Sequence, residues 1–288
     1  MVRPYAVKGK KRKKNADVYD RAEEEEVAVA AAAAAEPEEP EAEEADKKRI
    51  KGNESEEKEG NPIELEGIPL APAEINPKNG PGAIFILEKA SLEVAKVGKT
   101  YQLLNSDDHS NFLRKNNKDP ALYRPDIVHQ ALLMVLDSPI NKAGRLRNVY
   151  VRTAAGVLIE VKPYVRIPRT FKRFSGVMLQ LLQKLSISAV GKREKLMRVI
   201  KNPVTQYLPV NSRKIGFSYS SEKLVNIQNY VASAENSTDF VFVVGAMAHG
   251  KVETDHNEDF ISVCGYPLSA AYCITMICQA LAGKWTVL

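Results

Sequence analysis

The stretch "DFVFVVGAMAHGKV", residues 239–252, joins an apolar run to a loop that contains two glycines. Its pattern Gly-x-x-x-x-Gly-Lys resembles a loop that binds nucleoside triphosphates. That loop needs a hydroxyl after the lysine to hold Mg²⁺, and a helix must begin there. Val252 has no hydroxyl, and the following "ETDHNEDF" is rich in carboxylates and lacks an apolar stripe. We therefore reject a triphosphate site and expect a less anionic ligand beside Gly245 and Gly250.

Strand-like and helix-like stretches alternate on both sides of this loop. Strands are predicted in "AIFILEKA", "RKIGFSYS", "DFVFVVGA" and "DFISVCG", and "VYVRTAAGVLIEVKP" alternates like a hairpin. Helices are predicted within residues 91–105, 124–138, 168–188, 192–203, 222–234 and 267–283. This order predicts an α/β fold whose mostly parallel sheet is covered on both faces.

Three of these strands end in glycine-containing or polar loops, which read "GFS", "VGAMAHG" and "VCGYPLS". Ligands of parallel sheets collect at the carboxyl ends of strands, and glycine lets a ligand approach the backbone closely. Each glycine alone could be an ordinary turn. Because Gly245, Gly250 and Gly265 follow neighbouring strand ends, and Tyr266-Pro267 leads into a helix, together they predict a small-ligand site.

Charge divides the chain into a tail and a basic remainder. Residues 1–60 carry 13 Lys and Arg against 17 Asp and Glu, a net charge of −4, whereas the remainder carries 28 against 19, a net charge of +9. We predict a disordered tail (1–60), a Pro-rich linker (61–82) and a folded domain (83–288). The basic domain suits a polyanionic partner. The cluster "KGKKRKKN" (8–15) is either an import signal, a nucleic-acid arm or a merely solvated charge run.

The cysteines indicate the redox compartment of the protein, and one uncharged stretch raises the question of a membrane span. Cys264, Cys273 and Cys278 have no metal-ligand spacing around them, which favours buried thiols in a reducing intracellular compartment and no bound metal. Residues 260–283 lack charge, but Gly, Pro and polar residues interrupt them. We therefore expect a buried helix at a subunit interface rather than a membrane span.

Several charged residues stand where helix stability does not favour them. Arg166, Arg169 and Arg173 lie at the start of a predicted helix, where cations oppose the macrodipole; with Pro168 as the first helical residue, Arg169 and Arg173 would share a face. They suit phosphates and unpaired bases, unless they form only a solvated surface. Asp126 could pair with Arg124 or merely cap its helix, and Asp137 lies at the unfavourable helix end.

At this point the sequence closely resembles the small-subunit ribosomal RNA pseudouridine-N1-methyltransferase family, nucleolar ribosome-assembly factors of the SPOUT class. The residues that carry the resemblance are "RPDIVHQALLMVLDSPINKAG", "RIPRTFKRFSG", "VIKNPVTQYLP", "FVVGAMAHGK" and "YPLSA", within residues 83–288. The resemblance implies a C-terminal deep trefoil knot, a homodimer and S-adenosyl-L-methionine as cofactor. The implied cofactor residues are Phe217, Gly245, Gly250, Val263, Cys264, Gly265, Tyr266, Pro267 and Leu268.

The resemblance also implies an RNA site. The implied contacts are Arg124, Arg166, Arg169 and Arg173, with Asp126 orienting Arg124. In the expected reaction, methyl transfer to N1 of a pseudouridine in 18S-type rRNA, Arg124 would stabilise developing negative charge and Asp137 could receive the proton, unless water does. Gly265 departs from the asparagine usual in the family, which removes a side-chain cap.

The implied setting is the assembly of the small ribosomal subunit. The expected partners are small-subunit rRNA, pre-ribosomal small-subunit assembly proteins and a second copy of the chain, with no membrane, and the expected location is the nucleus and nucleolus. The alternative is a catalytically idle assembly factor that binds rRNA and keeps the fold as a scaffold. His129, His249 and His256 belong to no catalytic or metal pattern.

Overall fold

The computed structural model describes residues 80–189, 194–252 and 257–287. The tail predicted at 1–60 lies outside the described residues, as does the predicted linker up to residue 79. Ten strands are present in the described part: β1 (Ala83–Ala90), β2 (Val94–Val97), β3 (Thr100–Leu103), β4 (Leu146–Thr153), β5 (Leu158–Val161), β6 (Ser186–Ser188), β7 (Lys195–Ile200), β8 (Arg213–Phe217), β9 (Phe240–Gly245) and β10 (Asp259–Ile261).

Eight of these strands form one sheet in the order β10-β8-β9-β1-β4-β5-β7-β6, and β2 pairs with β3 alone. The strands from β10 to β4 are parallel to one another, whereas β5, β7 and β6 join in antiparallel fashion. The predicted α/β class with a mostly parallel sheet is therefore confirmed. The predicted hairpin is the β4–β5 pair, which turns at Gly156.

Six helices accompany the sheet in the described part: α1 (Ser106–Lys115), α2 (Pro125–Leu136), α3 (Pro139–Lys142), α4 (Phe171–Lys184), α5 (Ile227–Ala232) and α6 (Ala270–Lys284). Pro125 begins α2 as its sequence predicts, since proline fits the first turn of a helix. The predicted start of α4 was wrong. Helix α4 begins at Phe171 and not at Pro168, so Arg169 precedes the helix and shares no helical face with Arg173.

The two faces of the sheet are covered differently. On β1, Phe85 and Leu87 face a core that contains the buried sides of α2, α4, α5 and α6, whereas Ile84 and Ile86 face the opposite side. That side is closed by the 3-10 helix Val204–Tyr207 and by the loop that contains Val252. Both faces of the sheet are therefore covered, one by α-helices and the other by a short 3-10 helix and loops.

Two predicted helices are strands. Residues 94–103 form the β2–β3 hairpin, whose turn contains Gly98 at φ 64°, a conformation that glycine adopts without strain. Residues 195–200 form β7, which lies between β5 and β6. Val199 and Ile200 are β-branched and Met197 is buried, so pairing inside the sheet overrides the helical spacing of the charged residues.

A cluster of aromatic rings holds the strands that precede the predicted ligand site. Phe242 is fully buried at the centre of β9, and its ring centroid lies 5.4 Å from Phe85, 5.9 Å from Phe217 and 5.7 Å from Phe240. These contacts join β1, β8 and β9 below the strand ends. The positions of those ends therefore depend on this cluster.

Replacing the central ring tests this dependence. We expect Phe242→Ala to lower the free energy of unfolding by about 3–5 kcal/mol, because a buried aromatic side chain leaves a cavity. Urea denaturation followed by circular dichroism measures the change, with Val210→Ala as control, since Val210 is 94% exposed. A loss below about 1 kcal/mol at Phe242 would contradict this role, because loosely packed sites can collapse around a truncated side chain.

Candidate cofactor cavity and cationic surface

A cavity of about 170 Å³ lies at the carboxyl ends of β8, β9 and β10. The last residue of each strand, namely Phe217, Gly245 and Ile261, lines it. Parallel pairing of β10 with β8 and of β8 with β9 brings these ends to one edge of the sheet. The loops after the three strands and the first turn of α6 complete the walls.

Most of the residues implied by the family resemblance lie on this cavity. Its lining includes Phe217, Gly245, Gly250, Val263, Cys264, Tyr266 and Leu268. Gly265 and Pro267 belong to the same loop but do not line the cavity. Tyr219, Met247 and Lys251 also line the cavity, although the sequence patterns did not identify them as ligand contacts. Their signal was their position within five residues of a predicted strand end.

The three predicted glycines have different structural roles. A Cβ on Gly245 would lie 2.9 Å from Val252 Cγ2 and 3.1 Å from Met247 Cε, so packing of the loop requires its absence. Gly250 has φ +116°, which L-residues rarely adopt. A Cβ on Gly265 would meet nothing within 4 Å. Gly265 therefore leaves open space at a position where a side chain is sterically tolerated.

The helix that ends at the cavity has its own cap. Ser269 is the N-cap of α6, and its hydroxyl accepts a hydrogen bond from the backbone N–H of Tyr272 at 3.2 Å. The expectation that Gly265 removes a helix cap is therefore wrong, because Gly265 lies four residues before the capping position. Ser262 also steadies the loop, since its hydroxyl donates to the carbonyl of Cys264 at 2.8 Å.

The walls of the cavity suit a ligand with an apolar body and polar ends. Phe217, Val244, Ile261 and Leu268 supply apolar surface, and among the described residues that line the cavity Lys251 alone carries a charge. Lys89 holds this part of the loop from outside, since its Nζ donates to the carbonyl of Lys251 at 2.7 Å. The Gly250-Lys251 pair, which suggested a triphosphate loop in the sequence, therefore supplies one positive charge to the cavity wall.

Arg124 and Asp126 form a two-point ion pair at the start of α2. The Arg124 Nε donates to Asp126 Oδ1 at 2.8 Å, and Nη2 donates to Oδ2 at 2.7 Å. These bonds lower the pKa of Asp126 below its usual value and raise that of Arg124. The pairing that the sequence predicted is present. It fixes the guanidinium plane while 45% of the Arg124 side chain remains exposed.

Asp137 lies at the other end of the same helix. Arg124 precedes the first residue of α2 and Asp137 follows its last, so the rise of the helix separates them by about 20 Å. Asp137 is followed by α3 and then by the start of β4, whereas Arg124 lies at the other end of α2. Within one chain, the side chains of Arg124 and Asp137 are therefore too far apart to contact the same substrate atom.

The predicted RNA contacts on residues 166–173, which we call the arginine segment, lie near Asp137. Arg169 Nη2 is 3.7 Å from Asp137 Oδ2, and Lys142 Nζ is 3.2 Å from Oδ1. Arg166, Arg169 and Arg173 are all exposed, and 86% of the Arg169 side chain is accessible. The structure therefore brings Arg169 to Asp137, while Arg124 belongs to the other end of α2.

Two of the three cysteines are buried and one is partly exposed, and Cys264 and Cys273 both line the cavity. Cys273 and Cys278 are buried, and burial raises the pKa of each thiol to about 12, as expected of structural thiols. Cys264 is partly exposed on the cavity wall. Within residues 80–189, 194–252 and 257–287, His, Cys, Asp and Glu form no group of three that could hold a metal ion. None of the helices there combines the length and apolar character that crossing a bilayer requires.

Comparison with known proteins gives one consistent result. Residues 85–282 match the model of the EMG1/NEP1 methyltransferase family. The chain is 52% identical to the mouse protein named ribosomal RNA small subunit methyltransferase NEP1, over 71% of this chain and 82% of that protein. It is 49% identical to the human protein of the same name, over 74% and 86% of the two chains.

Similarity extends to more distant relatives and to a solved structure. The chain is 32% identical to the Nep1 protein of Thermococcus kodakarensis over 58% of its length and 75% of that protein. The crystal structure of Archaeoglobus fulgidus Nep1 bound to S-adenosylhomocysteine superposes with a TM-score of 0.57, at 23% identity, over 71% of this chain and 99% of that chain. At that identity the match shows a shared fold.

The unequal roles of the loop glycines can be tested as a matched pair. We expect Gly250→Ala to distort the cavity wall, because alanine is strained at φ +116°, whereas Gly265→Ala should change little. Thermal denaturation with and without S-adenosylhomocysteine measures both effects. The ligand should raise the melting temperature of wild type and Gly265→Ala but much less that of Gly250→Ala. Equal responses would contradict the assignment.

Proposed function

This chain belongs to the EMG1/NEP1 methyltransferase family, and we propose that it transfers a methyl group from S-adenosyl-L-methionine to N1 of a pseudouridine in small-subunit, 18S-type ribosomal RNA. The observation that carries the proposal is the cavity enclosed by three adjacent strand ends. The names of the mouse and human relatives support the RNA substrate, and the ligand of the Archaeoglobus structure supports the cofactor.

The residues around the cavity fit this cofactor. Apolar side chains such as Phe217 and Leu268 offer a slot for an adenine, and the backbone at Gly245 and Gly250 allows close approach of the adenosyl group. Lys251 offers a cation for the carboxylate of the methionyl group. The cofactor, when bound, supplies an electrophilic methyl group on a sulfonium. The chain's own residues must hold the acceptor nitrogen in line with it.

Arg124 is our candidate for stabilising the acceptor. The N1–H of pseudouridine is weakly acidic, so negative charge develops on the ring as N1 gives up its proton in becoming the nucleophile. The guanidinium of Arg124 is oriented by Asp126 and remains exposed, so it can donate hydrogen bonds to that charge on a bound base. A cation whose geometry is fixed before the reaction costs little reorganisation during it.

The proton released from N1 goes to water in this account. Asp137, which the sequence suggested as its acceptor, lies about 20 Å from Arg124 along α2. It is also engaged by Lys142 and Arg169. A carboxylate in that position orients the arginine segment more readily than it accepts a proton from the base that Arg124 contacts.

We also propose that the arginine segment binds the backbone of the same RNA. Arg166, Arg169 and Arg173 present guanidinium groups that suit phosphates and unstacked bases. Arg169 reaches Asp137 at the far end of α2, while the Pro168 carbonyl lies against His129, five residues after Arg124. A bound RNA would therefore follow the arginine segment along α2 toward Arg124. Contacts of this kind position the substrate without reading its sequence.

The proposed assembly is a homodimer with a deep trefoil knot in each chain. Exposed apolar side chains on two packed helices support an interface, with Met134 on α2 42% exposed and Tyr272 on α6 57% exposed. The knot is proposed from membership of the family. Small-subunit rRNA, pre-ribosomal small-subunit assembly proteins and a nuclear, nucleolar location complete the proposal.

The alternative of a catalytically idle rRNA-binding factor rested on the departure at Gly265. That support is removed, since Gly265 caps no helix and faces open space. Incubation with labelled S-adenosylmethionine and an rRNA hairpin that contains pseudouridine tests the proposal. We expect N1-methylpseudouridine with this hairpin and no product with uridine in its place, because N1 of uridine is bonded to ribose. Saturable binding of cofactor and RNA without product would support the idle factor.

Arg124→Ala tests the division between the two substrates. We expect the rate of methylation at saturating RNA to fall at least about 100-fold, as when an oxyanion donor is removed. The dissociation constant of S-adenosylmethionine, measured by calorimetry, should stay within about twofold, since Arg124 is outside the lining of the cavity. Parallel losses of methylation and cofactor binding would refute this division.

Asp137→Asn tests the fate of the proton. We expect the turnover number to change by less than about threefold, because Asp137 does not reach the base that Arg124 contacts and an active-site proton acceptor contributes about 100-fold or more. Single-turnover rates measured between pH 6 and 9 separate this step from RNA binding. A loss of 100-fold would show that Asp137 acts at the reaction centre, in which case it would have to come from a second copy of the chain.

A further inference from the structure

The ring of His129 joins the two cationic parts of the molecule. His129 lies on α2, five residues after Arg124, and is only 5% exposed. Its Nε2 is 2.8 Å from the carbonyl oxygen of Pro168, inside the arginine segment. A carbonyl can only accept, so Nε2 carries the hydrogen and donates. The ring also stacks on Phe174, with centroids 4.4 Å apart.

The chain around Pro168 has no regular secondary structure, and its residues alternate between core and solvent. Val165 and Ile167 are buried, with 7% and 9% exposure, while Arg166 and Arg169 are exposed. Burial of Val165 and Ile167 anchors this segment to the core. Past Ile167 the chain turns toward α4, and there the bond from His129 fixes the direction of the Pro168 carbonyl and hence of the next residue.

We propose that His129 is a positioning residue for RNA binding, which holds the Pro168 carbonyl so that Arg166 and Arg169 together face the RNA backbone. This inference rests on the proposed function and assigns a role to a histidine that fits no catalytic pattern. His129 touches neither the cofactor cavity nor the reacting atoms. It acts through the arginine segment alone, so its loss should weaken RNA binding and leave the chemical step unchanged.

The salt dependence of RNA binding measures this role directly. Each phosphate contact to a single strand contributes about 0.7 to the slope of log K against log salt concentration. We compare wild type with His129→Phe, which keeps the stacked ring and removes the donor, and with His129→Gln, which keeps a donor. We expect His129→Phe to make the slope less negative by about 0.7 to 1.4, which corresponds to the loss of one or two phosphate contacts. The KM for RNA should rise several-fold. His129→Gln should restore most of both.

Turnover and cofactor affinity serve as internal controls. The turnover number at saturating RNA and the dissociation constant of S-adenosylhomocysteine should both stay within about twofold of wild type in His129→Phe, because a positioning effect on RNA is confined to KM. Introduced into an Arg166→Ala/Arg169→Ala background, His129→Phe should cause no further loss of affinity, since residues that act through one another are not additive. If Phe at position 129 prevents folding, His129→Asn, whose amide is too short to reach Pro168, replaces it.

An unchanged slope in a folded His129→Phe variant would overturn the inference, as would full additivity with the arginine substitutions. A fall in turnover without a change in KM would equally contradict it. These results differ from failure of the proposed function. In that case wild type itself would neither methylate the pseudouridine hairpin nor bind it with a salt-dependent affinity.

Discussion

The side-by-side pairing of three parallel strands is the constraint on which the rest of this structure depends. Hydrogen bonding of β10 to β8 and of β8 to β9 fixes Phe217, Gly245 and Ile261 at one edge of the sheet. Strand ends in that arrangement leave backbone groups that no helix covers, so a ligand can approach them. The buried rings of Phe242 and Phe85 hold the strands together just below that edge.

Helix α2 determines how the remaining charges are distributed. Arg124, the residue before its first turn, presents an exposed guanidinium, and its last residue is followed by Asp137, about 20 Å away. Asp137 and His129 both reach across to the arginine segment, through the ion pair with Arg169 and the bond to the Pro168 carbonyl. The same helix thus contacts the arginine segment at two levels and has Arg124 at its start.

Sequence patterns were sufficient where one chain segment determined the outcome. The strand that ends at Gly245, the proline that begins α2 and the Arg124–Asp126 pair all follow from local spacing and charge. Patterns failed where distant segments decide. Residues 195–200 have helical spacing yet form β7 because β5 and β6 flank them. Helix α6 was predicted from residue 267 but begins at Ala270, so its cap is Ser269. The role of His129 depends on a carbonyl 39 residues away, which no local pattern encodes.

Hydrogen–deuterium exchange with and without S-adenosylhomocysteine is the most direct test of the central claim that the three strand ends form one cofactor site. The account predicts that saturating ligand slows exchange together in the segments 217–219, 244–252 and 261–270, while the arginine segment is unaffected. Protection in only one of the three segments, or protection centred on residues 166–173, would contradict it.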